Sequence, residues 1–488
     1  MTPLFHMRGG VHPEARKELT SEKPIVDLPL PELLYIPLQQ HVGSPAQLRV
    51  AAGDRVGKGQ LLAQSDGRIS ASQHAPTSGR IKAIGDITAP HPSGLAQPTI
   101  LLEPDGDEAW SELPEPLADP FTVDPGHIRE RVAWAGIVGM GGAVFPAAVK
   151  LDLGKDYRID TLVVNGAECE PYITCDDRVM RERAASVIDG ARIIARVLGA
   201  ARILVGIEDN KAAAIAAMTQ AAASFADVQV VTVPARYPMG YAHELILTLT
   251  GLETPAGKRT AEVGAVAYNV GTARAVSQAV RLGRPLISRV VTVSGGATRN
   301  PNNLEVPIGA RVSDLIQHCG GFTLAPARLV NGGPMMGQPL PSLDLPVVKG
   351  MSGILALTAA EVGARPPSPC IRCGACIQAC PVGLVPLEMA AFIRKDNLDG
   401  AARLGVGDCI GCGSCSWVCP SQIPLVQYFH YANGMLSAQE RERRRHERTK
   451  TLVEAHHLRL EKVAAAKAAA QAARKPTPAR SDQERASA

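Results

Sequence analysis

The sequence is short of long apolar runs. None of its 488 residues sits in a stretch of the roughly 18 apolar positions that a bilayer crossing needs, and the best candidate, 193–207, is cut by Arg196 and Arg202. No membrane span is expected, which leaves open that the protein lies against a membrane. An excess of one charge is also missing. The 51 Lys and Arg against 47 Asp and Glu leave a net +4, too little to suggest a nucleic-acid partner. Residues 1–20 have no apolar core of the kind a secretory leader carries, so none is expected there. At this length one hydrophobic core is not enough, and three or four domains are expected.

Cysteine is plentiful by comparison, and eight of the 11 stand in two runs. They are Cys370, Cys373, Cys376 and Cys380, then Cys409, Cys412, Cys415 and Cys419, with Pro381 and Pro420 after the last of each. Each run is C-x-x-C-x-x-C-x-x-x-C-P, the ligand pattern of ferredoxins that carry two 4Fe–4S clusters. Three thiolates come from one short stretch and the fourth serves the other cluster. One cluster is therefore expected on Cys370, Cys373, Cys376 and Cys419, and its partner on Cys409, Cys412, Cys415 and Cys380. Ile371/Ile410 and Gly374/Gly413 repeat with the cysteines, and glycine lets backbone N–H groups approach the cluster sulfurs. Zinc sites usually pair distant C-x-x-C motifs, which the third and fourth cysteines of each run do not fit. Such clusters imply single-electron transfer and a reducing compartment.

Five segments follow from composition and periodicity. The fold class expected is multidomain α/β and β. Residues 1–115 read as short strands and turns and resemble the barrel-sandwich fold of lipoyl and biotinyl domains. The turn at Ser65, Asp66, Gly67 and Arg68 stands where those domains carry a modified lysine, so a scaffold is expected, not a swinging arm. Residues 116–285 alternate helical and apolar strand patterns, with buried parallel strands expected at 160–165 and 202–207, a helix at 211–223 and a further strand at 228–233. Residues 286–360 open with a strand at 289–293, turn at 300–303 and enter a helix at 313–318 closed by Gly320 and Gly321. They resemble the β-grasp (SLBB) module that accompanies flavin domains in respiratory NADH dehydrogenases. Residues 361–430 are the ferredoxin piece, and 431–488 read as a basic, Ala-rich helical tail that frays at its end.

The second chemical feature is the loop 139–150, with Gly139, Gly141, Gly142 and, at its end, Lys150. Small residues in series expose backbone N–H groups, and a helix opening at Ala147 would favour a phosphate. Val144 stands where the dinucleotide fingerprint needs its third glycine, so an ordinary Rossmann site is not expected. Alone, the loop reads as a phosphate cradle or as a plain turn. Downstream come Asn165, Glu168, Glu170, Pro171 and Tyr172, then Asp177 and Arg178, then Asn269 and Thr272. In this order they resemble the flavin domain of the NADH-oxidising subunit of respiratory complex I. The resemblance implies that Gly139, Gly141, Gly142 and Lys150 hold the FMN phosphate. It places Asn165 with the catalytic candidates Glu168 and Glu170 near the flavin ring and NADH, and Asn269 and Thr272 on the flavin's other side. Complex I has arginine at Met140, glycine at Val144 and threonine at Ala147; a β-branched residue at 144 resists positive φ. Cys169, Cys175 and Cys319 read as structural thiols, and the pair His243–Glu244 matches complex I only loosely.

Taken together, the order of modules closely resembles the RnfC family, the C subunits of Rnf electron-transport complexes. That resemblance implies a peripheral subunit on the cytoplasmic side of a bacterial inner membrane. It would work with membrane subunits and a ferredoxin-like subunit, moving electrons between NAD(H) and ferredoxin while ions are translocated. The cofactors implied are FMN and two 4Fe–4S clusters, with NAD(H) as substrate and no nucleic acid. A soluble cobalamin reductase has similar parts but places its barrel differently; the quinone-linked sodium pump's A subunit lacks the cysteines. A docking scaffold with a vestigial flavin cleft is the reading of a different class.

Overall fold

A computed structural model describes residues 4–91, 93–363 and 365–473. The flavin-type segment is built on a parallel sheet of four strands, in the order Val228–Val233, Arg202–Glu208, Thr161–Gly166, Ala265–Asn269. Its central strand is apolar on both faces, as a sheet covered by helices on both sides requires. The helix Cys175–Leu198 packs on Val270–Leu282 so closely that Gly190 meets the Ala273 carbonyl, leaving no room for a side chain. The chain runs outward from Thr161–Gly166 in one direction and returns to place Ala265–Asn269 on its other side. The carboxyl ends of these two strands therefore form a switch point, where open α/β sheets bind ligands. Asn165 and Asn269 stand there in register.

The barrel is made of two small sheets, and its inner face does not close on itself. Leu34, Ile36, Ile81, Ile100 and Leu102 share one core with Val291, Leu304 and Leu315 of the third segment. That segment is built on a sheet of six strands, of which the sequence placed only the one at 289–293, and one comes from outside the segment: Ile25–Asp27, ahead of the barrel, pairs parallel with Asn302–Pro307. Lys349 ties the barrel to the flavin-type segment. Its buried ammonium donates to the Ser72 and Gly136 carbonyls, both at 2.7 Å.

The cysteine segment is a set of short helices that ends in one long one, Leu425–Ala473. Its first turns are part of the cluster core, through Leu425, Phe429 and Ala432, and the remainder is exposed. The helix thus begins inside the ferredoxin piece, just after Pro424, and not at the expected boundary near 431. The end of the expected tail, 474–488, lies outside the described residues. Among the described residues, no helix is long and apolar enough to cross a membrane.

Candidate functional site

The glycine loop is held from beneath. Thr272, fully buried on the first turn of Val270–Leu282, accepts a hydrogen bond from Met140 N at 2.9 Å and donates to the Val138 carbonyl. Gly139 and Phe145 close the loop across its base at 2.9 Å. Between these anchors the exposed residues Gly141, Gly142 and Ala143 present N–H groups with no acceptor among the described residues. Gly142 has φ 97° and nothing within 4 Å of where a Cβ would stand. Successive free N–H groups in such a curve make an anion cradle, so the residues present fit a flavin phosphate. Val144 does adopt the left-handed region, at φ 44°, as a glycine would. Its N–H donates to Gly139 O and its carbonyl accepts from Val42 N, while its side chain packs over Gly350. Tertiary contacts thus hold a β-branched residue in a strained conformation that the sequence argues against.

Asn269 caps the helix Val270–Leu282 by accepting from Gly271 N at 2.8 Å, and its Nδ2 donates to Asp176 at 2.6 Å. A side chain at Gly141 would come into van der Waals contact with Asn269. Asn165 donates to Gly240 O at 2.8 Å and accepts from Ala167 N. The two glutamates are occupied with backbone donors. Glu168 caps the helix Cys175–Leu198, accepting from Asp176 N at 2.7 Å and Asp177 N at 3.3 Å, and Cys175 Sγ donates to it at 3.4 Å. Burial raises the Glu168 carboxyl, against the pull of Lys17 and Lys211. Burial, then the Glu168 charge, pushes the Asp176 carboxyl up to about 7. Glu170 accepts from Met335 N at 3.0 Å and Met336 N at 2.7 Å, which clamps the β-grasp segment onto the flavin-type one. Lys150 points its ammonium at the Ala267 carbonyl and the Tyr268 ring, 4.6 Å from its centroid, and burial lowers it to about 8. Asp176 was not singled out in the sequence; the Thr174–Cys175–Asp176–Asp177 stretch is a helix-start signal that could have drawn attention to it. Cys175 and Cys319 are buried thiols, and Cys169 accepts from Gly240 N at 3.2 Å.

The cysteines group across the two runs. Cys380, Cys409, Cys412 and Cys415 line one cavity. Cys376 has Cys370 and Cys419 as its electrostatic neighbours, while Cys415 has Cys412, Cys409 and Cys380. Left-handed residues repeat with the motif: Arg372 and Gly411, Gly374 and Gly413, Gly383 and Gln422. These turns aim backbone donors at sulfur, with Arg372 N on Cys370 at 3.4 Å and Leu384 N on Cys380 at 3.3 Å. N–H···S bonds of this kind stabilise cluster thiolates, so the donor sets fit two cubanes. The two groups differ in surroundings. Cys370 and Cys373 are exposed, whereas Cys412 and Cys415 are buried, Cys415 in the core of the cysteine segment and Cys412 against the flavin-type segment. There the Tyr237 hydroxyl donates to Cys412 O at 2.6 Å, and Val11, Tyr237, Ala379 and Cys412 form a small core of their own.

Comparisons with known proteins follow the same division. Residues 5–107 match the RnfC barrel sandwich hybrid domain, 132–278 the Nuo51 FMN-binding domain, 290–339 the SLBB domain and 364–420 a 4Fe-4S dicluster domain. The C subunit of the ion-translocating oxidoreductase complex from Rhodobacter capsulatus is 53% identical over 444 residues, 91% of this chain and 85% of that one. The C subunit of the proton-translocating ferredoxin:NAD(+) oxidoreductase complex of Clostridium ljungdahlii is 46% identical over 80% of this chain and 85% of its own. A longer C subunit, from the ion-translocating complex of Erwinia tasmaniensis, is 43% identical over 96% of this chain and 58% of its own. With four module matches in this order and such identity over most of both chains, the chain belongs to the RnfC family, the C subunits of ion-translocating oxidoreductase complexes.

Proposed function

We propose that this chain is the subunit through which a membrane-bound complex exchanges electrons with NAD(H). Ferredoxin is the redox partner at the other end, and ion translocation is carried by membrane subunits. FMN, when bound, converts between hydride transfer and single-electron transfer. The chain's own part is to hold and orient. Gly141, Gly142 and Ala143 offer backbone donors to the phosphate, Gly139 closes the base of the loop on Phe145, and Lys150 stands behind them. Asn269 and Thr272 fix the loop and the helix start under it, and Asn165 shapes the strand end. Glu168 and Glu170 act by positioning: one anchors the helix Cys175–Leu198, and the other anchors the 335–336 turn that lies between the flavin-type segment and the cysteines. One cluster is assigned to Cys370, Cys373, Cys376 and Cys419, the other to Cys409, Cys412, Cys415 and Cys380.

The observation that carries this reading is the seating of the second cysteine group on the flavin-type segment, through Tyr237 and Cys412. A flavin held at the switch point would share its segment with the contact to the second cysteine group, where Cys412 and Cys415 are buried, while Cys370 and Cys373 of the first group are exposed. The proposed location is the cytoplasmic face of a bacterial inner membrane, in contact with membrane subunits and a ferredoxin-like subunit. The test is anaerobic purification followed by reconstitution with FMN. Flavin absorbance that bleaches on adding NADH, with NADH-dependent reduction of an artificial acceptor, is expected. If neither is seen while the clusters are in place, the protein is an iron–sulfur docking scaffold instead.

A further inference from the structure

The flavin reading leaves a question of charge. A phosphate in the glycine cradle needs a cation, and complex I has an arginine inside its loop where this chain has Met140, which is buried. Lys150 has its ammonium on Ala267 and the Tyr268 ring. Two elements from outside the flavin-type segment reach this loop: Gly350 of the β-grasp segment, against the Val144 side chain, and the barrel. Val42 N donates to Val144 O at 3.2 Å, Ser44 N to Ile69 O at 3.0 Å, and Ala71 N to His41 Nε2 at 3.0 Å. These bonds join the barrel stretches 41–44 and 69–71 into one layer against the glycine loop. Lys349 fixes that layer through Ser72 and Gly136.

Next to Ile69 stands Arg68, exposed at the tip of the barrel hairpin; among the described residues it has no ion pair or side-chain hydrogen bond, not even with Asp66 in the same turn. On the other side of Ile69, Ser70 is 8% exposed and its buried hydroxyl has no hydrogen-bond partner, an orphan that a bound polar group would satisfy. Val42 and Ile69, 49% and 36% exposed, add apolar surface beside the cradle. We propose that the barrel forms one wall of the nucleotide site and that Arg68 is the cation that meets the phosphate of the bound nucleotide. This rests on the flavin reading above and gives the barrel a part in binding beyond that of a scaffold. A guanidinium suits the task because its planar fork matches phosphate oxygens two at a time.

The test uses the full chain with its clusters, freed of flavin, and follows quenching of flavin fluorescence on titration with FMN or with riboflavin, which lacks the phosphate. Arg68→Ala is expected to weaken FMN binding about tenfold or more, the usual effect of losing a charge-assisted hydrogen bond to phosphate. Arg68→Lys should recover part of it, and riboflavin affinity should not change. If only the apparent NADH affinity of the flavin-loaded protein falls, the phosphate that Arg68 meets is the dinucleotide's. Equal losses for FMN and riboflavin mean a structural effect and overturn the proposal, as does an Arg68→Ala variant that binds both FMN and NADH like the wild type. A wild type that takes up no FMN refutes the flavin reading itself and this proposal with it.

Discussion

Replacing Cys380 with alanine is expected to remove the cluster of the other cysteine run, not that of its own. Cys380 lines one cavity with Cys409, Cys412 and Cys415, and its sulfur accepts from Leu384 N at 3.3 Å, whereas Cys376 is neighboured by Cys370 and Cys419. Two filled cubanes give about eight iron per chain, and the variant should fall to about four. The surviving cluster can be identified by its exposure. Cys370 and Cys373 are exposed, while Cys412 and Cys415 are 7% and 8% exposed. A cluster on the first set should therefore bleach quickly with a soluble oxidant or chelator, and one on the second slowly. Wild-type protein should bleach in two phases of equal amplitude. Cys380→Ala should keep only the fast phase, and Cys419→Ala only the slow one. If Cys380→Ala retains the slow phase and loses the fast one, each run closes on itself and the crossed assignment is wrong. Four iron with both phases halved would mean that the two sites fill interchangeably, which the geometry also forbids.

Further expectations concern strain, acidity and attachment. Gly350→Ala would drive a methyl into the Val144 side chain, and overpacking of this kind costs about 1–3 kcal/mol. Val144→Gly removes both that obstacle and the cost of φ 44°, so in denaturant melts the double variant should lose less than the two single effects added together. Glu244 is buried with one carboxyl oxygen unpartnered, and burial, reinforced by Glu253, pushes it up to about 7. Because its folded value lies above the unfolded one, its stabilising contribution is complete below roughly pH 4 and is lost as pH rises through 7. In denaturant melts between pH 5 and 8, Glu244→Gln should flatten that decline in stability, by up to ~3 kcal/mol; parallel profiles for variant and wild type would show that Glu244 does not titrate there. Deleting 436–488 removes the exposed cations Arg441, Arg443, Arg444, Arg445, Arg448 and Lys450, each worth about 1 kcal/mol near an anionic surface. Membranes washed at moderate salt should then release more of the truncated protein than of the full chain, and equal retention would take the tail out of the attachment.

Much of the architecture could be read from local pattern. The strands expected at 160–165, 202–207 and 228–233 appear as Thr161–Gly166, Arg202–Glu208 and Val228–Val233; the first two are covered on both faces and read as apolar runs, while the edge strand Val228–Val233 exposes Gln229 and Thr232. The helix expected at 211–223 is Ala212–Ala222. What stayed hidden depends on pairs far apart in the chain. Nothing near Ile25 announces a partner at Asn303, 278 residues away, since the pairing is made by backbone groups that every residue owns. Glu168 and Glu170 looked like chemistry from their motif, and only the fold reveals that backbone N–H groups surround both. Val144 was legible as a departure but not in its outcome. Local propensity argues against positive φ there, and contacts from Val42 and Gly350, in two other segments, override it.

The core that the barrel shares with the β-grasp segment bears on how such a chain can change. Four separate family patterns lie along it, yet Ile36 and Leu102 from the first pack in the same interior as Leu304 and Leu315 from the third. A recombination event that exchanged the barrel alone would leave half an interior facing water. The inheritable unit suggested by the linear order is therefore smaller than the cooperative unit. A substitution at Leu304 must be accommodated by residues more than two hundred positions earlier, and divergence in the two modules has to proceed in step.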